Sequence, residues 1–189
     1  LCSSSAFLSI NMNLTHFKTA MLLGCFKISA PAIVEARIYL SVTQVQDIFF
    51  PKEVFNKNPI LVDDDLQKKL RVISGVRHPF KGDRIWKTGN GSWIIVDEVL
   101  GKHEMITYAV AINSKGEILG IEIMEYVESY GYEIKNKEWR KQFIGKTANH
   151  PIKLNQDIQN ISGATLSAKH VTDGIKRVMA FYDLALKSQ

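Results

Sequence analysis

The hydrophobic pattern opens with two short helices. Val42, Val45, Ile48 and Phe49 recur at helical spacing after Ser41, and Pro51 closes the segment. Asp63, Asp64 and Asp65 put negative charge at the start of a second helix with Leu66, Leu70 and Ile73 as its stripe, and Gly75 stops it. The period then changes from helical to strand-like. Residues 84–87 read as a strand, Gly89-Asn90-Gly91 as a turn, and Trp93-Ile94-Ile95-Val96 as a buried strand running towards Val99. Met105 to Ile112 is β-rich, residues 113–116 carry turn chemistry, and residues 117–128 return, which predicts an antiparallel hairpin. In the returning strand Leu119, Ile121, Ile123 and Val127 share one face that Glu125 interrupts, while Glu122 and Glu128 fall on the mixed face.

Residues 138–144 predict a short helix ended by Gly145. The longest predicted helix covers 167–187, where Val171, Ile175, Val178, Tyr182 and Ala185 step by four and three along one face. Few strands joined by hairpins, with helices at both ends, predict an α+β fold: a mostly antiparallel sheet, a long C-terminal helix, and short helices packed on it. The expected organisation is an N-terminal extension and signal peptide over 1–36, a helical extension over 37–90, and a binding domain over 91–189.

Composition narrows the setting. The chain has 189 residues, 46% of them hydrophobic, enough for one domain with a real core. Its net charge of +5 is spread without runs, which argues for a solvated surface and no nucleic-acid partner. Both cysteines, Cys2 and Cys25, lie near the N-terminus, so the body predicts no disulfide framework and no cysteine-type zinc site. Residues 12–36 combine a basic start, a short apolar run interrupted by Lys27, and a small-residue exit ending at Ala36. That is a secretory pattern. Leu22-Leu23-Gly24-Cys25 also reads as a lipid-attachment motif, so cleavage and anchoring are both open. Either way the expected location is outside the cytoplasm, in the periplasm or on the outer face of the cytoplasmic membrane.

The most suggestive chemistry lies at Ser162-Gly163-Ala164-Thr165, with Ser167 close behind. Gly163 lets the backbone turn sharply and approach a ligand closely. A helix starting near Leu166 offers unpaired N–H groups and a positive dipole end, which favour an anion such as phosphate. The plainer reading is a helix cap, contributing about 1 kcal/mol. Elsewhere, His103-Glu104 lacks the second histidine of a zinc-protease motif, since Thr107 stands there. His103 alone reads as a surface histidine or a hydrogen-bond partner for a ligand. No acid–base constellation marks a dedicated enzyme, and no metal site is expected.

The run Asp157-Ile158-Gln159-Asn160-Ile161-Ser162-Gly163-Ala164-Thr165-Leu166-Ser167 resembles the flavinylation signature of FMN-binding domains. These occur in the C subunit of sodium-pumping NADH:quinone reductase, the G subunit of the Rnf complex and many small exported proteins. A second segment is similar as well: Glu128, then a loop with Tyr130 and Gly131, then Trp139 and Phe143-Ile144-Gly145-Lys146. Gln159 stands where the family has an acidic residue. The resemblance implies FMN joined through a phosphoester to Thr165 by a separate flavin transferase. It implies Ser162, Gly163, Ala164, Ser167, Glu128 and Gly131 around the cofactor. Tyr130 and Trp139 are the candidates for stacking on the flavin, and Lys146 the candidate to face an anionic flavin. The implied role is electron carrying with membrane or periplasmic redox partners. The rival is a non-redox exported binding module, and a third possibility is reversibly bound FMN.

Overall fold

The computed structural model describes residues 37–38, 40–128 and 131–189. The secretory pattern, Cys2, Cys25 and Tyr130 lie outside them. Six strands form one antiparallel sheet in the order β1-β6-β5-β4-β3-β2. They are β1 (Arg37–Ile38), β2 (Phe55–Lys57), β3 (Ile85–Thr88), β4 (Trp93–Leu100), β5 (Met105–Ile112) and β6 (Ile118–Tyr126). The helices are α1 (Val42–Phe49), α2 (Asp64–Ser74), α3 (Lys137–Lys141) and α4 (Thr165–Phe181), which runs on through a π-helical turn over Tyr182–Leu186. The fold is α+β, as the hydrophobic pattern predicts.

Local chemistry accounts for the element boundaries. Ser41 and Gln44 form a reciprocal capping box at the start of α1. Asp63 caps α2 by accepting the Leu66 N–H at 2.8 Å, and Gly75 ends that helix in the left-handed conformation. The buried face of α2 uses Leu70 and Ser74, whereas Ile73, expected on the stripe, is largely exposed. At the hairpin turn the Asn113 side chain accepts the N–H groups of Lys115 and Glu117, both at 2.9 Å.

Both faces of the sheet are covered. Ile95, Val99, Tyr108, Val110, Ile121 and Ile123 pack with Val171, Ile175 and Val178 of α4 and with Leu70 of α2. The opposite parity, Ile94, Val96, Ala109, Ala111 and Met124, packs with Val45 and Phe50 from the α1 segment. Gly120 on β6 leaves room there for the Phe49 ring of α1, which an added Cβ would strike.

The expected faces of β6 need correction. Its register against β5 slips twice: Ala111 opposes Gly120 while Ile112 opposes Ile118, and Thr107 opposes Glu125 while Tyr108 opposes Ile123. Each slip inserts one residue, Leu119 and then Met124, and a bulge of that kind reverses the facing of the residues beyond it. Ile118, Ile121, Ile123 and Tyr126 therefore share the core under α4. Leu119 is pushed outward, and Glu125 sits across from Thr107, whose hydroxyl donates to it at 3.4 Å. The other mixed-face carboxylate, Glu122, is ion-paired with Arg140 on α3 rather than left in solvent.

A buried polar cluster ties α4 to the sheet. Arg177 is 1% exposed and Asp97 3%. The guanidinium donates to Oδ1 of Asp97 at 2.9 Å, and to Oδ2 at 2.8 Å from Nη2 and 3.1 Å from Nε. It also donates to the carbonyls of His78 and Glu98, at 2.5 and 2.8 Å. The Tyr108 hydroxyl donates to Oδ2 at 2.6 Å. Burial, and next the Asp97 charge, push the Tyr108 phenol well above its ordinary range, so it stays a donor. Next to this cluster, Glu98 faces Lys81 at 2.8 Å, Arg84 at 2.9 Å and His78 at 3.2 Å.

Removing one partner of the buried pair leaves the other charge without compensation. Asp97→Ala should cost about 3–5 kcal/mol in urea unfolding, against a far smaller loss for the exposed Lys69–Asp65 pair. Glu98 gives a pH prediction. Burial raises its carboxyl, but Lys81, Arg84 and His78 together hold it at about 2, below the ordinary 4.5. A lowered folded value means stabilisation that is complete above about 4.5 and lost as the pH falls towards about 2. Melting temperature followed by circular dichroism should therefore fall more steeply between those values in the native chain than in Glu98→Gln.

Candidate functional site

The start of α4 has no side-chain cap. Its N-cap position is Ala164, and no side chain caps a first-turn N–H. Thr165 is the first helical residue, two positions earlier than the hydrophobic stripe alone predicts. The first-turn N–H groups are thus left without a side-chain acceptor, at the positive end of a helix of 17 residues. Gly163 reaches this turn with φ +84°, a conformation that favours glycine, and a Cβ there would meet nothing within 4 Å. Thr165 is exposed, and its Oγ1 accepts a hydrogen bond from the Asn160 amide at 3.2 Å.

This turn borders a cavity of roughly 440 Å³. Gly163, Ala164, Leu166 and Ser167 form one wall, Val127, Glu128 and Gly131 a second, and Lys102, His103 and Glu104 a third. The third wall is the β4–β5 turn. Glu128 ties it to the second: its Oε1 accepts the N–H of His103 at 2.5 Å and of Glu104 at 3.1 Å, while Gly101 closes the turn on the Glu104 carbonyl at 2.7 Å. Partial burial raises the Glu128 carboxyl, but the backbone donors of His103, Glu104 and Lys102 outweigh it, so the net value lies below the ordinary range and the group stays ionised. Its other oxygen accepts from the Tyr126 hydroxyl at 3.4 Å, and that hydroxyl lies 3.3 Å from Ser167 Oγ on α4. A chain of polar contacts thus runs from the β4–β5 turn through β6 to the first turn of the helix.

Gly131 sits where nothing larger fits. Its φ is +88°, and an added Cβ would lie 2.6 Å from both Ser167 Oγ and the Tyr126 hydroxyl. The cavity volume is that of a cofactor site, which spans roughly 300–1,000 Å³. Its lining is also of that kind: apolar contacts from Val127, Ala164 and Leu166, with a few polar groups converging on them. Leu166 is 43% exposed on the lip, an apolar surface that a flat aromatic ring can cover. Phosphate fits the uncapped helix start. The residues present therefore suit FMN: the Gly163–Ser167 turn would hold its phosphate, and Leu166 and Val127 would offer apolar contact to its ring system.

The expected site residues divide into three groups. Gly163, Ala164, Ser167, Glu128 and Gly131 come together around this cavity, with Thr165 between two residues of its wall. Ser162 and Trp139 instead line a neighbouring hollow of roughly 410 Å³ with Gln142, Gln159, Asn160 and Ile161. Trp139 is a core side chain, 6% exposed, edge-on to Phe143 at 5.2 Å, and its indole N–H donates to the Gln159 carbonyl at 2.8 Å. Lys146 is bound to Asp157 at 3.0 Å and is not among the residues lining the cavity. Asp157 also accepts the N–H groups of Ile152 at 3.1 Å and Lys153 at 2.7 Å, so its carboxylate folds the 152–158 loop. Burial raises that carboxyl, but the Lys153 N–H and Lys146 outweigh it and hold it below the ordinary range.

Sequence reasoning overlooked Lys102, Glu104, Val127 and Leu166, and gave His103 no firm role. A signal for the turn was available. The predicted antiparallel hairpin brings the start of β5 beside the end of β6, so the residues before Met105 must neighbour those after Tyr126.

Gly131→Ala should reduce FMN affinity at least tenfold by fluorescence titration while costing about 1–3 kcal/mol of stability, because the new methyl displaces Ser167 and Tyr126. Comparison with protein families matches residues 101–180 to the FMN-binding domain. No curated protein gives a significant match to the chain. The matched span contains every residue that lines the cavity. Residues 101–180 thus match the model of the FMN-binding domain family, and flavin binding is the function that this match supports.

Proposed function

We infer that this protein carries electrons through an FMN whose phosphate is esterified to Thr165. One observation carries the reading: Thr165 presents an exposed hydroxyl at the first position of an uncapped helix, flanked by Ala164 and Leu166 of the cavity wall. A linkage made there leaves the phosphate at the positive helix end. The attached group supplies the redox chemistry. The protein's own residues orient it: Gly131 and Gly163 shape the backbone, Leu166 and Val127 offer apolar contact, and Glu128 holds the opposing turn in place. No protein side chain is required to transfer a proton for this role.

The maturation partner on this reading is a flavin transferase, and the electron partners are membrane or periplasmic redox proteins. Export rests on the pattern of residues 12–36. No helix among the described residues is long and apolar enough to cross a membrane. Covalent attachment suits a protein outside the cytoplasm, where lost FMN is not easily replaced.

A reversible form of the same function has an observation in its favour. Gln159 stands where the family carries an acid, and Asp157, the nearest upstream carboxylate, is committed to Lys146 and the 152–158 loop. Asn160 is the polar side chain that reaches Thr165.

Intact-mass measurement on protein co-expressed with a flavin transferase in an exporting host separates the readings. The covalent form gains the mass of one FMN less one water and keeps its flavin fluorescence on a denaturing gel, and Thr165→Val loses both. A yellow protein that releases its colour in acid supports the reversible form. A colourless, unmodified chain overturns both in favour of a non-redox binding module.

A further inference from the structure

Four ionisable side chains border the flavin cavity: Lys102, His103, Glu104 and Glu128. Glu128 is engaged with the N–H groups of the β4–β5 turn, so its negative charge stays on the cavity wall, with that of Glu104 nearby. Lys102 lies in the same clamped turn, and among the described residues its ammonium has no ion-pair partner in the cavity wall. It is the one lysine or arginine among the described residues that line this cavity. Lys146, the cation to which the family resemblance points, is spent on Asp157.

The geometry points to Lys102 as the residue that sets the flavin's redox balance, by supplying the counter-charge to the reduced ring. This rests on the reading of the cavity as an FMN site. A flavin that takes up two electrons from a reductant and one proton from solvent gains one negative charge on the ring. Two carboxylates on the wall oppose that charge, and Lys102 offsets them. In a partly enclosed site a unit charge within about 10 Å is worth roughly ten times in equilibrium constant. Loss of Lys102 therefore weakens the hold on reduced flavin while leaving the hold on the neutral oxidised ring nearly untouched. The bonds from Glu128 to the N–H groups of His103 and Glu104 fix the backbone that carries Lys102 beside the cavity.

The test uses the full chain loaded with FMN, titrated with dithionite against an indicator dye, as wild type, Lys102→Gln, Lys102→Arg and Lys146→Gln. Lys102 is exposed, so its replacement does not threaten folding. The expected result is a midpoint about 30 mV more negative in Lys102→Gln, the equivalent of a tenfold change for a two-electron couple. Lys102→Arg returns to the wild-type value. Lys146→Gln keeps the wild-type midpoint and lowers the melting temperature. Affinity for oxidised FMN, read by fluorescence quenching in chain made without the transferase, stays within about twofold in Lys102→Gln. A wild-type midpoint in Lys102→Gln overturns the inference. So does an equal loss of affinity for oxidised and reduced FMN, which marks a phosphate contact, or a midpoint shift in Lys146→Gln alone. A wild-type chain that acquires no flavin by either route overturns the function proposed above, and this inference with it.

Discussion

Arg177 reaches from the middle of α4 to Asp97 on β4, and both are removed from water. Every donor on that guanidinium that the cluster uses is matched to an oxygen fixed on the sheet or on the loop after α2, and Tyr108 closes the last side of the carboxylate. Such a pair adds little net stability over a hydrophobic substitute, because desolvating two charges offsets most of their attraction. Its value here is positional. A helix held by apolar contacts alone can slide or rotate by part of a turn at small cost. A helix held by a bidentate buried pair cannot, since the slip strands two charges. The register of α4 on the sheet is thereby set, and with it the location of Thr165 at the helix start, about three turns upstream.

The cavity lies where three separate devices meet. The helix start arrives uncapped because Ala164 occupies the cap position and offers no side-chain oxygen. The β4–β5 turn is drawn in by Glu128 just past the end of β6, and Gly131 allows the chain to pass within contact of Ser167 and Tyr126. The second bulge in β6 makes this convergence possible. Without the reversal of facing at Met124, the residue packed under α4 after Ile121 and Ile123 would be Glu125 and not Tyr126, and the polar chain from Glu128 to Ser167 would have no middle member. The site depends on an irregularity in the strand as much as on the motif in the helix.

Much of this was legible from the residues. The hairpin, both early helices and the long C-terminal helix follow from periodicity and turn chemistry, and the Ser162–Ser167 turn stood out because glycine and hydroxyl residues precede an amphipathic run. The short edge strands β1 and β2 were not legible, since two or three residues carry no periodicity and pair only because a neighbouring strand presents an open edge. Trp139 and Lys146 belong to the second segment of the family resemblance, yet one is claimed by Phe143 and the Gln159 carbonyl and the other by Asp157. Membership of that segment did not bring them to the cavity wall, because a core aromatic and a half-buried ion pair each find their partners elsewhere.

The sequence by itself determined the fold class, the order of the principal elements, the likeness to FMN-binding domains over 101–180 and the glycine turn before the last helix, because each comes from local periodicity or from a contiguous motif. Only the tertiary structure decided which side chains face that turn. His103 and Glu128 are 25 residues apart, a separation at which the facing of β6 matters, and that facing hangs on inserted residues that no alternation of hydrophobic and polar positions reveals. Strand register is a cooperative property of the whole sheet, fixed by burial on both faces at once, and for that reason it is settled in space and not along the chain.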